Sequence, residues 1–377
     1  MLLRVESFTP KGRLAHSSVL VVDKLYFFGG AGGDTDIELI QIATEVFYLD
    51  VTKPFDIKIP PLTRLSNIPF GSVWATVEYN NINNDQNIYL FGGYMLDNYL
   101  SDSFNSIIYR FNVNSSTWWI PPVGGTSPER RRDIKAVNSD GKLYIFGGST
   151  NNYLGSPTTK FFNDMIIFDT VGISWSIISS VDAPTQRALY TATLLPNGYI
   201  VYIGGYESKE NGDITEVDIK QINLFDTNSL TWSLKIANVS SQIDNRAAHT
   251  AVLAPDDKII IYGGIKKVGD IRNAQVAPVT VVLNTRIEPF EWSEPQVTSN
   301  IGTVPSLVAH TADLVGNYMI VAFGNITQPN SGPLKQRSSE IYLMDIRNFT
   351  WINTAIVGTG ILSICGIFIY RWQRSRR

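Results

Sequence analysis

The sequence predicts an all-β protein assembled from six copies of one four-strand unit. Three observations carry this reading. First, an apolar strand ending in paired glycines recurs as Leu25–Gly30 (LYFFGG), Ile88–Gly93 (IYLFGG), Leu143–Gly148 (LYIFGG), Ile200–Gly205 (IVYIGG) and the strand ending at Gly263–Gly264, with a worn copy, MIVAFGN, at Met319–Asn325. Second, the first glycines fall at Gly29, Gly92, Gly147, Gly204, Gly263 and Gly324, so one unit returns every 55 to 63 residues. A period of that size marks a repeat architecture, in which units bury a core only against their neighbours. Third, glycine, aromatic and β-branched residues are plentiful while long runs with helical spacing are scarce, as in chains built from short strands.

Each unit carries four signals in a fixed order. A leading strand comes first: 14–22, 73–79, 134–138, 189–195, 248–254 and 308–315. The glycine strand follows, its second glycine being Gly30, Gly93, Gly148, Gly205 and Gly264, with Asn325 replacing it in the sixth unit. Such pairs allow close backbone approach and angles closed to other residues. After a long polar loop, a third strand ends in an acidic or amide residue, at 46–50, 107–112, 165–169, 222–226, 281–284 and 341–345. A tryptophan strand closes the unit at Trp118, Trp175, Trp232, Trp292 and Trp351, with Phe55 standing in for the first. The aromatic lies 26 to 29 residues beyond the first glycine in every copy. It supplies a large apolar plate between sheets.

This pattern resembles the kelch repeat in its galactose-oxidase-like form, over residues 13–354. The resemblance implies a six-bladed β-propeller of four-stranded blades. It also implies that each leading strand is the outer strand of the preceding blade. Arg13–Val22 would then pair with the blade holding Trp351, so that an N-terminal strand closes the propeller and removes exposed edges. Arginines recur three residues before the leading-strand position at Arg13, Arg131, Arg187 and Arg246, where the second and sixth units have Gly71 and Leu307. They are expected to form a structural hydrogen-bond mesh between blades.

The C-terminal stretch from Trp351 to Tyr370 carries no charge and is followed by Arg371, Arg374, Arg376 and Arg377. This predicts one transmembrane helix over 355–370 and a short basic tail, 371–377. Basic flanks stay cytoplasmic, which places the propeller outside the cell or in a lumen as a single-pass membrane protein. Met1–Gly12 lacks the features of a signal peptide, so this orientation expects a leader absent from the chain. Triplets at Asn114, Asn238 and Asn325 are the glycosylation candidates, with a fourth at Asn348 beside the span. The alternative is a tail-anchored scaffold or adaptor with a cytosolic propeller.

The formal net charge of −3 gives no sign of nucleic-acid binding. The lone cysteine, Cys365, lies in the apolar run, which excludes an internal disulfide or a cysteine-based zinc site. Galactose oxidase holds copper with two histidines, two tyrosines and a cysteine cross-link. Here His16, His249 and His310 occupy one repeat position, where Trp74, Ile134 and Tyr190 stand in the other units, and they read as packing residues with a polar tip. No catalytic, metal or cofactor site is expected, and an oxidase is the least favoured alternative. Function falls to the long loops after the glycines, which should share one face. These are rich in Asn, Asp, Ser, Thr and Gly, with acidic bias at Asp34, Asp36 and Glu38 and basic bias at Lys266, Lys267 and Arg272. They suit a protein or glycan ligand, as in a binding or adhesion module.

Overall fold

A computed structural model describes residues 8–32, 41–80, 82, 86–96, 106–151, 154, 156, 158–209, 212–269, 271–329 and 337–355. The fold is all-β with almost no helix. Among the described residues, each repeat forms a sheet with four antiparallel strands of its own, and the fifth and sixth sheets each carry a fifth, parallel strand. The first contains Ser17–Val21, Lys24–Phe28, Val46–Asp50 and Leu62–Arg64, hydrogen-bonded in that order. The sixth contains Thr311–Val315, Tyr318–Ala322, Ile341–Asp345 and Thr350–Ile352 in the same order.

This order corrects the expected closure. The leading strand is the first strand of its own sheet and not the last strand of the preceding one. Ser17–Val21 pairs with Lys24–Phe28, and the sixth sheet takes all four principal strands from its own repeat. The cause is the turn between the two strands. Pairings of Val21 with Lys24, Ser139 with Lys142 and Val315 with Tyr318 leave two-residue loops. Asp140 and Gly141 both take positive φ, as a tight hairpin turn requires. A two-residue connection makes its flanking strands antiparallel neighbours.

The pairing also moves three assignments. Leu62 faces Leu49 as Trp118 faces Phe111, so Leu62 and not Phe55 holds the tryptophan position of the first sheet. The longer turn between Asp50 and Leu62 hid this. Tyr318–Ala322 pairs as Lys24–Phe28 does, which aligns Phe323 with Gly29 and Gly324 with the second glycine, Gly30. Phe323 takes φ +59, close to the +60 of Gly29. In the second repeat, Ser72 and Ala75 occupy the arginine and histidine positions, one residue beyond Gly71 and Trp74.

Two circuits of main-chain bonds join the repeats. In one, the amide of Gly30, Gly93, Gly148, Gly205, Gly264 and Gly324 donates to the carbonyl of Ser72, Arg131, Arg187, Arg246, Leu307 and Arg13 respectively, at 2.7–2.9 Å. A Cβ on Gly29 would sit 2.2 Å from the Ser72 oxygen, so the approach at this junction needs glycine, whereas the sixth-to-first junction makes the same bond with Phe323 at that position. In the other, Ala15, Trp74, Asp133, Leu189, Ala248 and Ala309 each take φ between +51 and +61. Each N–H donates to its counterpart in the preceding repeat, Trp74 to Ala15 at 2.9 Å and so on, and Ala15 to Ala309 at 2.7 Å. Six non-glycine residues in the left-handed region cost on the order of 1 kcal/mol each, a strain held by bonds to both neighbours.

Apolar clusters fill the spaces between sheets, each drawing on two of them. The cluster shared by the first and sixth includes Phe27, Phe47, Leu343 and Phe323. Phe323 stands edge-on to Phe27 at 5.6 Å and Phe47 at 6.0 Å. At the rim, Ile57 N–H donates to Asn353 O at 2.9 Å and Ala355 N–H to Phe55 O at 3.2 Å.

Apart from Ala355, the expected membrane helix and basic tail lie outside the described residues, as do Asp34, Asp36 and Glu38. Among the described residues no helix is long and apolar enough to cross a membrane.

Candidate binding site

The segment before each leading strand pairs with the chain just after the glycines, as Arg13–Leu14 does with Ala31–Gly32 and Gly71–Val73 with Tyr94–Leu96. All six long loops therefore leave from the glycine ends of their strands. On that side the six left-handed residues surround a cavity of about 160 Å³, walled by the first residues of the leading strands.

Two apolar clusters flank it. One centres on Ala15 and Val73, with Leu14, Trp74 and Tyr94 only partly buried. The other centres on Ala248, Ile265 and Val308, with Leu189, Tyr206 and Ala309 partly buried. Asp133 interrupts them with a buried carboxylate, which accepts from Arg132 Nη1 at 2.9 Å and from Ser149 Oγ at 2.8 Å. Burial raises its pKa, against the pull of Arg132 and Ser149. The Arg132 guanidinium lies 5.2 Å from the Tyr94 ring, and Asn151 Nδ2 donates to the Tyr94 hydroxyl at 2.7 Å. The result is an aromatic and aliphatic rim with one polar quadrant.

Deeper, Lys135 is exposed to the cavity, with Glu78 and Asp313 one residue beyond the lining. Ser18 Oγ donates to Asp313 at 2.6 Å. Burial raises the Glu78 pKa to about 7, with Lys135 opposing and Asp313 adding to the shift.

Side chains bridge every junction between neighbouring sheets. His249 Nε2 bonds Thr191 Oγ1 at 3.2 Å, His310 bonds Thr250 at 2.8 Å and His16 bonds Thr311 at 2.9 Å. The other three junctions use Ser17 Oγ donating to Ala75 O at 2.7 Å, Ala136 N–H donating to Thr76 Oγ1 at 2.9 Å, and the Tyr190 hydroxyl donating to Phe146 O. The histidines are 5–6% exposed and Nδ1 of each has no partner. The tautomer with fewest unmet donors carries its proton on Nε2 and gives it to threonine. Burial holds all three neutral, His310 at about 3; neighbouring Arg13 and His310 add to it at His16, and Arg246 and His310 at His249. Among the described residues no group of three or more possible ligands could hold a metal ion.

The recurrent arginines are 0–2% exposed. Arg13, Arg131 and Arg246 donate Nη1 to the carbonyl of Gly29, Gly147 and Gly263 at 2.9, 3.0 and 3.3 Å. Arg13 also meets Glu45 at 2.5 Å and Arg131 meets Asp164 at 2.6 Å. These bonds stay within a repeat; it is the arginine carbonyls that reach across. Of the glycosylation candidates, Asn114 and Asn238 are exposed, whereas Asn325 is half-buried with its Oδ1 enclosed. Trp175, Trp232, Trp292 and Trp351 are buried, and Trp118 is partly so. The sequence offered little sign of the cavity rim: Trp74 and Leu189 each depart from the alanine found at their position in three other repeats, and only the tyrosine after the glycine pair, Tyr94 and Tyr206, recurs.

Sheets with this repeated register, glycine pair and buried arginine define a kelch-type repeat protein. The KLHDC2/KLHL20/DRC7 Kelch-repeats domain family matches residues 15–264, and the chain belongs to the kelch-repeat family. The human Kelch domain-containing protein 3 is 27% identical over 258 residues, covering 67% of this chain and 64% of that protein. The N-(sulfonatooxy)prop-2-enimidothioate sulfolyase of Thlaspi arvense is 24% identical over 277 residues, covering 70% of this chain and 75% of the relative. Among solved structures, that of YjhT shares the fold with a TM-score of 0.65 at 16% identity, covering 91% of this chain and 98% of that one.

Proposed function

We propose that the six sheets close into a six-bladed kelch propeller acting as a non-catalytic binding module. Its ligand is a protein segment seated on the glycine-loop face over the axial cavity. Closure is supported by the two main-chain circuits, each of which returns to its starting repeat. The observation that carries the binding site is the set of partly buried apolar residues Trp74, Leu189 and Ala309 lining one cavity, with Leu14, Tyr94 and Tyr206 packed in the clusters beside them. Apolar side chains gathered at a concave mouth with a few fixed polar groups suit protein recognition better than a sugar, whose hydroxyls need more donors and acceptors. A photo-crosslinking residue at Trp74 tests this against one at Ile59, an exposed residue of the turn between Asp50 and Leu62 that does not line the cavity. Position 74 should give a discrete adduct that Leu189→Arg suppresses. Equal adducts from position 59, or none from position 74, would reject the site.

The same reading takes the uncharged run ending at Tyr370, with its arginines, as a membrane anchor and the propeller as outward-facing. Alkaline extraction should leave the full chain in the membrane and release a chain ending at Ala355. A glycosidase shift that disappears in an Asn114→Gln, Asn238→Gln double variant would support the outward orientation; its absence would favour the tail-anchored alternative.

A further inference from the structure

The links between repeats cover several outer sheet edges. Asn238–Val239 runs parallel to Glu291–Ser293 in the fifth sheet, and Thr298–Ser299 runs parallel to Thr350–Ile352 in the sixth. In the third, a parallel bridge joins Gly124 to Ser174. The bonds follow one rule. Asn238 N–H donates to Phe290 O at 2.7 Å, Thr298 to Phe349 O at 3.0 Å and Gly124 to Ile173 O at 2.9 Å, while Trp175 N–H donates back to Gly124 O at 3.0 Å. The outward groups thus belong to the tryptophan and to residues an even number of places from it.

The fourth sheet departs from this. Its outer strand, Thr231–Ile236, is six residues long, the longest outer strand among those described. The preceding link turns on itself instead, with Ala183 N–H donating to Ser180 O at 3.2 Å. By the same rule, Leu230 C=O, both main-chain groups of Trp232 and the N–H of Leu234 face outward, and no described segment pairs with them. Among the described residues two other outer strands have no cover, Leu62–Arg64 and Thr117–Trp119; they are three residues long, with Pro60–Pro61 before one and Pro121–Pro122 after the other. Short strands and prolines blunt an edge, as does an edge lysine. The only charge on Thr231–Ile236, Lys235, is bonded to Glu288 and lies 4.9 Å from the Phe290 ring. Leu234 and Ile236 are 55% and 57% exposed, on the side where Trp232 is buried.

We propose that this edge binds an extended peptide segment of a partner protein, added as a parallel fifth strand with an apolar residue over Leu234 and Ile236. The occupant is argued from the molecule itself: wherever a fifth strand covers an outer edge, it is a short extended segment running parallel. Main-chain bonds would supply affinity and alternate side chains specificity. This surface is separate from the axial cavity.

The test pans a displayed library of random seven-residue peptides on the full chain and sorts the clones by binding to Leu234→Pro, which deletes one outward N–H. Circular dichroism and the melting temperature establish that the variant folds; if it does not, Leu234→Lys replaces it. A set of clones with apolar residues at alternate positions should lose at least tenfold in affinity on either variant. Their peptides should slow amide exchange at Trp232 and Leu234. The proposal is overturned if no clone depends on position 234, or if the dependent peptides protect amides elsewhere.

Discussion

The two halves of the propeller are fastened differently. From the fourth sheet round to the first, three successive junctions are each held by a histidine bonded to a threonine of the preceding sheet. From the first sheet to the fourth, the equivalent bonds join a side-chain hydroxyl to the main chain, Ser17 and Tyr190 donating and Thr76 accepting. The backbone circuits are alike in both halves. The repeat therefore fixes where neighbouring sheets touch, while the leading-strand side chains decide whether the junction titrates. A protonated histidine would place a charged, unpartnered Nδ1–H in a buried junction; a serine or tyrosine hydroxyl has no such state at ordinary pH.

The largest expected difference between the halves follows from truncation. His310→Ala removes the bond to Thr250 and the ring that stands edge-on to Tyr262 at 5.4 Å, so it should cost about 2–4 kcal/mol in denaturant unfolding. Ser17→Ala, on the other half, should cost only about 0.5–1.5 kcal/mol. Equal losses would remove the distinction. Phe323→Gly restores the glycine of the other repeats but deletes the aromatic contacts at the sixth-to-first junction. It should be destabilising by about 2–4 kcal/mol; a gain would mean that backbone strain outweighs packing there.

The pH dependence sharpens the contrast. The histidines have folded-state pKa values below the usual 6.5, so the unfolded chain binds more protons once the pH falls below about 6.5. Their contribution is complete above that pH and is lost progressively as the pH falls towards the folded values. Replacing all three with glutamine should flatten the fall in melting temperature between pH 7 and pH 5. Ser17→Ala should leave it unchanged. Glu78 acts in the opposite sense. Its folded pKa of about 7 exceeds the usual 4.5, so stability is full at low pH and declines as the pH rises through that window. Glu78→Gln should therefore stabilise more at pH 8 than at pH 5, by at most about 3 kcal/mol; no pH dependence in the gain would place Glu78 in free solvent.

Much of this fold was legible because glycine pairs, arginines and tryptophans report local backbone and packing needs that recur in each copy. The strand assignment failed where local signals were passed over: Asp140–Gly141 is a hairpin turn by composition, and its pairing fixes the leading strand in its own sheet. Phe323 and Leu62 were misplaced because each stands where a marker residue is missing, and only strand register restores the alignment. The histidine–threonine bonds join residues 58 to 295 positions apart, so spacing could mark the histidines as equivalent without naming their partners. The cavity rim was hard to see for the converse reason, since Trp74 and Leu189 stand where other copies have alanine and the tyrosine after the glycine pair recurs only as Tyr94 and Tyr206.

Closure is the claim on which the rest depends, and amide hydrogen exchange at Ala15 tests it most directly. Ala15 donates across the sixth-to-first junction, whereas Leu189 makes the equivalent bond to Asp133 within the continuous chain. A closed propeller predicts comparable protection at the two amides. Rapid exchange at Ala15 with slow exchange at Leu189 would show an open array and contradict the account.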